Sequence, residues 1–434
     1  MNEPRTLLMA LILQLLESPK DAGITTPITD EITNVLGKIS GLSADFDMND
    51  WPDELALNGV AISPVQAARC CRETLRTQVF LKSMCQAIQD ILKKRSVVHL
   101  LYAGTGPFGT LVLPLLPMFR ESQIQVTLLD IHQENIDALH KVAETLKVEP
   151  YIKQYIRADA SSWQPVDNQK FDLIVSETMN TFLRREPQVS IFAHLQQFLA
   201  PEGLLIPEEI KLDAWLTDKK QWLSTQDNST NHLAEVFSLN KNSAKQVYEQ
   251  GVEVLSGCLQ LPKLSKPYSK IGFTTRIRVY GEHQLLDGEC SLNLVNVVHD
   301  LNLRQGQKIP YYYAQKPVVE FVFDLPEYQP EQELALITDT GKLKLFHLKR
   351  LWHKSQFKRY GVKGKQDFER EWSVDFLLVE LIGGNLHQWL QYLYQERLAF
   401  SVFENWVETE FGPFSPENIN GMNQALQEAY AELN

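Results

Sequence analysis

Along the first ninety residues apolar positions recur every three or four places, the spacing of helices that bury one face. The most apolar stretch is Leu7-Leu8-Met9-Ala10-Leu11-Ile12-Leu13-Gln14-Leu15-Leu16. It is too short to span a bilayer, and the chain continues Glu17-Ser18-Pro19-Lys20 with no small-residue cleavage site, so it is expected to form a buried first helix. A polar break punctuated by Gly and Pro runs from Leu42 to Ile62. At its end Ser63-Pro64 reads as an N-cap followed by proline in the first turn, opening a long amphipathic segment from Val65 to Leu92.

From Val97 the pattern changes to short apolar runs alternating with helical ones. Strands are expected at 97–103, 124–130, 151–157, 171–177 and 203–210, with helices near 108–119, 132–147 and 185–199. That alternation is the signature of a parallel sheet covered on both faces. Beyond Trp215 the residues to 262 read as largely helical, 268–348 hold period-2 runs typical of antiparallel strands, and the chain from Val374 reads as helix again, through Leu377-Leu378-Val379-Glu380-Leu381 and 388–406. The expected fold class is α/β: a Rossmann-like sheet with an N-terminal helical region (1–92), a nucleotide-binding domain (93–215) and an appended C-terminal α+β region rich in antiparallel strands (216–434).

An apolar content of 44% over 434 residues supports a large core. Acidic residues outnumber basic ones 54 to 42, for a net charge of -12, which argues against general nucleic-acid binding and favours cationic ligands. The five cysteines, Cys70, Cys71, Cys85, Cys258 and Cys290, have no CxxC spacing and include a vicinal pair. They suit a reducing cytoplasm better than a metal site or a disulfide framework, so no metal, membrane or nucleic-acid partner is expected.

Candidate chemistry lies at the strand ends. Val97-Val98-His99-Leu100-Leu101-Tyr102-Ala103 runs into Gly104-Thr105-Gly106-Pro107-Phe108-Gly109, a GxGxxG pattern in which glycines allow a tight turn and close approach of a ligand to the backbone. Asp130, followed by Ile131, closes the next strand where a carboxylate can accept both hydroxyls of a ribose; a helix cap is its plainer role. Asp159-Ala160 follows the third strand, where the aspartate can take an adenine amino group or cap its own turn. The fourth strand ends in Ser176-Glu177, and a second carboxylate, Glu186, follows nine positions later. Two carboxylates at a strand end can grip a planar cation through charge-assisted hydrogen bonds.

The order of glycine loop, Asp130, Asp159 and Phe171-Asp172-Leu173-Ile174-Val175-Ser176-Glu177 resembles class I S-adenosylmethionine-dependent methyltransferases. The stretch from Glu177 to Glu186 resembles the double-glutamate loop of protein arginine methyltransferases. The Gly-x-Gly-Pro form of the loop and the run from Phe198-Leu199 to Gly203 and Ile206-Pro207 are similar to the branch that dimethylates symmetrically. Glu73-Thr74-Leu75-Arg76 is similar to that family's helix over the cofactor.

The resemblance covers residues 70 to 215 and implies S-adenosyl-L-methionine as cofactor. It would be held by Arg76 (against the methionine carboxylate), Tyr102, Gly104, Thr105, Gly106, Pro107, Asp130, Ile131, Asp159, Ala160 and Glu177. Glu177 and Glu186 would be catalytic, with either glutamate or His194 accepting a proton. In two places the sequence departs from the pattern. Tyr102 stands where most class I enzymes carry an acid that meets the methionine amino group, and no Thr-His-Trp stretch follows, Trp352-His353 beside Lys349-Arg350 being its nearest fragment. The acceptor expected is therefore a cationic nitrogen, guanidino or amino, on a small molecule or a peptide, with a homodimer among the assemblies open to the chain. A small-molecule O-methyltransferase and a catalytically silent binding module on the same fold are the alternatives.

Overall fold

The computed structural model describes residues 4–42, 53–56, 58–217, 230–263, 268, 270–298, 301, 303–315, 319–326, 348, 351–352, 379, 384–393 and 400–411. The chain divides into two compact units, Met1–Tyr328 and Gln329–Asn434.

The first unit begins with α1 (Pro4–Glu17), which buries Leu8, Ile12 and Leu15, the helix read from the apolar stretch. Asp21 caps α2 (Ala22–Ser40). The polar break holds a small hairpin, β1 (Glu54–Ala56) with β2 (Gly59–Ala61). Ser63 caps α3 (Pro64–Cys70) as the Ser-Pro signal predicts, accepting from Gln66 N. The amphipathic run is not one helix: it stops at Cys71, whose carbonyl accepts from Thr77 Oγ1, and resumes as α4 (Thr74–Leu92).

The central sheet comprises β3 (Val98–Ala103), β4 (Ile124–Asp130), β5 (Ile152–Arg157), β6 (Phe171–Ser176) and β7 (Leu199–Ile206). All pairings are parallel, in the order β5-β4-β3-β6-β7. Chain direction across the sheet reverses between β3 and β6, so the carboxyl ends of those two strands flank a topological switch point, where such sheets place ligands. Burial of β3, β4 and β6 is nearly continuous, as a sheet covered on both faces requires. Helix α5 (Gln133–Leu146) covers β4 and β5, and α6 (Gln188–Leu195) covers β6.

Several boundaries differ from expectation. The helix anticipated at 108–119 is a run of turns followed by a short 3-10 helix, Leu113–Met118. Pro114 and Pro117 lack the N–H groups an α-helix needs there, and Gly109 sits at φ 56. The helix expected from 185 starts only after Pro187. The strand expected at 203–210 is two, because Pro207 interrupts it: β7 belongs to the parallel sheet and β8 (Glu209–Thr217) to an antiparallel one.

The stretch read as helix after 216 contains β9 (Thr230–Asn240), α7 (Lys241–Gln250) and β10 (Ser256–Gln260). Helix-favouring Leu, Ala and Glu in β9 give way to its long antiparallel pairing with β8. The period-2 runs are strands as expected: β11 (Lys270–Tyr280), β12 (His283–Leu285), β13 (Asn296–Val298), β14 (Lys308–Ala314) and β15 (Glu320–Phe323). They form an antiparallel sheet β12-β11-β8-β9, with β13 also on β11, and a smaller sheet β10-β14-β15.

In the second unit α8 (Leu386–Leu393) and α9 (Phe400–Phe411) pack Trp389 and Phe403 inside, with Tyr392 stacked on Trp406 at 4.1 Å. Lys349, Arg350, His353 and, apart from Val379, residues 374–381 lie outside the described residues.

Candidate active site

At the switch point the glycine loop leaves β3 with Gly104, Gly106 and Gly109 at φ 71, 60 and 56, a conformation that disfavours any side chain. The loop opens into turns and not into an α-helix, so no helix N-terminus stands behind it. A β-carbon on Gly104 would lie 2.2 Å from Thr178 Cγ2, and one on Gly106 would lie 3.3 Å from Ala67 Cβ.

Asp130 holds this loop in place. One carboxylate oxygen accepts from Gly106 N (2.9 Å) and Thr105 Oγ1 (3.1 Å), the other from His132 N (3.0 Å) and Asn135 Nδ2 (2.9 Å). The side chain is only 4% exposed, and a diol that reached it would exchange with these donors. Asp159 closes its own turn, accepting from Ser161 N (2.8 Å) and Ser161 Oγ (2.7 Å) beside buried Ala160. Ile131 lends its carbonyl to Arg157 Nε at 3.3 Å, and Pro107 is buried behind the loop.

The structure brings Arg76, Glu177 and Glu186 together. Arg76, 7% exposed on α4, donates through Nη2 to Glu177 Oε2 and through Nη1 to Glu73 Oε2 at 3.2 Å. Burial opposes its charge, but the Glu177 and Glu73 carboxylates it pairs with hold its pKa well above the ordinary value. The Glu177 side chain is 8% exposed, and its Oε1 is buried without a hydrogen-bond partner among the described residues. Burial drives the Glu177 pKa up against the pull of Arg76 and of the Met179 N–H. Glu186, 8% exposed, is pushed up to about 8 by burial and then by the neighbouring Glu177 charge.

The nine-residue loop is held from three sides. Gln188 accepts from Thr178 N and Oγ1 (2.7 and 3.0 Å) and donates to Ser176 O (3.1 Å), so α6 closes the turn out of β6. Phe182 inserts among Phe273, Phe321 and Phe323 at 5.1, 5.9 and 6.1 Å between ring centroids, and its N–H donates to Thr275 Oγ1. From the other direction Val60 N donates to Arg185 O (2.9 Å), and a β-carbon on Gly59 would strike Arg185 O at 2.8 Å, which seats the β1–β2 hairpin on the backbone of Glu186. Phe182, Leu183 and Arg185 all have positive φ (57, 54 and 65). Each costs on the order of 1–2 kcal/mol for a residue with a side chain, and the surrounding packing sustains that strain.

Sequence reasoning missed the residues that complete the surroundings. Glu73 Oε2 also accepts from Ser291 N (3.4 Å), and Thr181 Oγ1 donates to Leu294 O (2.9 Å), so residues 291–294 border both Arg76's partner and the double-glutamate loop. Cys70 and Cys290 feel the same charges: burial pushes both thiols up, Cys70 to about 12, so both are neutral. Glu73 was in view three positions before Arg76, but no local signal marks 290–294, because β11 and β12 alone bring it here. Tyr102 is buried, and burial followed by the Glu177 charge raises its phenol pKa, so it adds no charge. His194 stands apart. Its Nε2 donates to Trp163 O (2.5 Å) and its Nδ1 accepts from Gln197 (3.3 Å). Among the described residues no group of three or more His, Cys, Asp or Glu could hold a metal ion.

Residues 101–203 match the family model described as a methyltransferase domain. Comparison with curated proteins finds no match. Among solved structures the chain is similar to the Trypanosoma brucei PRMT1 enzyme-prozyme heterotetrameric complex with AdoHcy, at 12% identity over 58% of this chain and 95% of that one, with a TM-score of 0.41. The parallel sheet and the domain match together define an enzyme, a class I methyltransferase that uses S-adenosylmethionine. The switch-point residues fit the cofactor's amino-acid end, since Arg76 offers a buried cation beside the Glu73 carboxylate.

Proposed function

We propose that this enzyme methylates a cationic nitrogen, guanidino or amino, on a small molecule or peptide, with Glu177 and Glu186 gripping the acceptor. The observation that carries this is two carboxylates, each side chain about nine-tenths buried, close enough that the Glu177 charge raises the Glu186 pKa, one of them with an oxygen that has no hydrogen-bond partner among the described residues. Buried carboxylates side by side are unfavourable unless a cation joins them, and a guanidinium satisfies both through paired hydrogen bonds. The double-glutamate resemblance to protein arginine methyltransferases supports the same reading.

S-adenosylmethionine supplies an electrophilic methyl group on a sulfonium; the chain supplies position and proton handling. Glu177 and Glu186 fix the acceptor nitrogen, and the buried surroundings exclude water. As the nitrogen–methyl bond forms and the sulfur–methyl bond breaks, the nitrogen must lose a proton. Glu186, with a pKa of about 8, is poised near neutrality to take it. Below pH 8 Glu186 starts protonated, so binding of a cationic acceptor drives its proton off. Glu186→Gln is expected to lower kcat by about 10^2-fold or more. Unchanged turnover would remove Glu186 from the reaction.

A further inference from the structure

Glu73, Arg76, Glu177 and Glu186 form a row of charges. Arg76 bridges Glu73 through Nη1 and Glu177 through Nη2, and Glu177 in turn is the charge that most affects Glu186. A cation between Glu177 and Glu186 would use one end of this row. The other end has the Glu73 carboxylate, from the residue that caps α4, beside the Arg76 guanidinium in the first turn of that helix, the complement of an α-amino-acid zwitterion. The zwitterion in reach is the amino-acid end of the cofactor. Its carboxylate has a partner in Arg76, while its ammonium lacks the usual strand-end acid, because that place holds the neutral, buried Tyr102.

We propose that Glu73 receives the ammonium of the cofactor's amino-acid end, taking the role that Tyr102 cannot fill, while Arg76 receives the carboxylate. This rests on the methyltransferase reading. Glu73 suits the task better than Glu177 for two reasons. It keeps more solvent access, 22% of its side chain against 8%, so a ligand can approach it from the open side. Glu177 is also needed next to Glu186 for the acceptor, and its buried free oxygen marks a second, separate demand for a cation. Ser291 N, already donating to Glu73 Oε2, fixes the carboxylate's orientation from the far side. Glu73 is thus a cofactor-binding residue supplied from the cap of α4 and aligned by the turn between β12 and β13.

Calorimetric titration of the full chain with S-adenosylhomocysteine and with its deamino analogue, in which hydrogen replaces the amino group, tests this. The wild type is expected to bind S-adenosylhomocysteine about 10-fold tighter than the analogue, the scale of one charge-assisted hydrogen bond. Glu73→Gln should abolish that preference while leaving affinity for the analogue within about twofold, and Glu73→Asp should restore part of it. Equal loss of affinity for both ligands in Glu73→Gln would overturn the proposal, since Glu73 would then act only by steadying Arg76. A preference that survives in Glu73→Gln, or that the wild type never shows, would also overturn it while leaving the methyltransferase reading intact. No binding of S-adenosylhomocysteine by the wild type would end both.

Discussion

The γ-methyl of Thr178 lies over the α-carbon of Gly104, so closely that a β-carbon there would come within 2.2 Å of it. The first residue of the glycine loop is thereby packed against the first turn beyond Glu177, and the two strand ends that flank the switch point are built as one piece. Gly104→Ala is expected to destabilise the fold by about 2–3 kcal/mol, part from overpacking and part from the positive φ. Adding Thr178→Ser removes the offending methyl and should recover only the steric part. Thermal denaturation of the two variants checks this, and equal losses would show that the contact is not limiting.

Glu186 ties stability to pH. Its folded pKa of about 8 lies above the ordinary 4.5, so the native state binds more protons than the unfolded chain between those values. Its contribution is therefore fully present below pH 4.5 and is lost as pH rises through 8, by at most about 1.4 kcal/mol per pH unit. Glu186→Gln removes this loss. Relative to the wild type its Tm should be higher at pH 8.5 than at pH 5; a difference independent of pH would mean that Glu186 is not protonated in the folded enzyme.

Arg76 and Glu177 should behave as a coupled buried pair. Replacing either alone with leucine leaves an uncompensated charge and is expected to cost about 3–5 kcal/mol. The double replacement should cost clearly less than the sum. A double-mutant cycle by urea denaturation measures the coupling, and strict additivity would contradict the pairing.

Much of this was legible beforehand because it is local. The strand-and-glycine pattern at Val98–Gly106, the Ser63-Pro64 helix start and the acidic strand ends each obey short-range rules, and all reappear in the structure. The departures have physical causes. Pro114 and Pro117 turn an expected helix into a 3-10 turn, and β9 takes its conformation from β8 against its own composition. In the site, Glu177 and Glu186 were visible in the sequence, whereas their surroundings were not. Ser291 reaches Glu73 across 218 positions, and Thr181 reaches Leu294 across 113, distances over which no pattern of spacing carries information.

Phe182 is where the appended sheets support the site. Its ring meets three phenylalanines while its backbone holds φ 57, so packing sustains the strained loop. Phe182→Ala is expected to cost about 3–5 kcal/mol. It should lower kcat while sparing S-adenosylhomocysteine affinity, because the ring packs on phenylalanines of the appended sheets and the backbone N–H bonds Thr275 there. Calorimetry beside a turnover assay separates the two, and parallel loss of both would place Phe182 in the cofactor site.

The most direct test follows the methyl group. Full-length enzyme is incubated with S-adenosylmethionine carrying a labelled methyl and with guanidino compounds, primary amines and arginine-containing peptides, and the labelled products are identified by mass and by stability to base. The expected result is label on nitrogen in a guanidino or amino acceptor, reduced about 10^2-fold or more by Glu186→Gln. Label on a base-labile ester or on an ether oxygen, or N-methylation undiminished in Glu186→Gln, would contradict the grip of Glu177 and Glu186 on a cationic nitrogen.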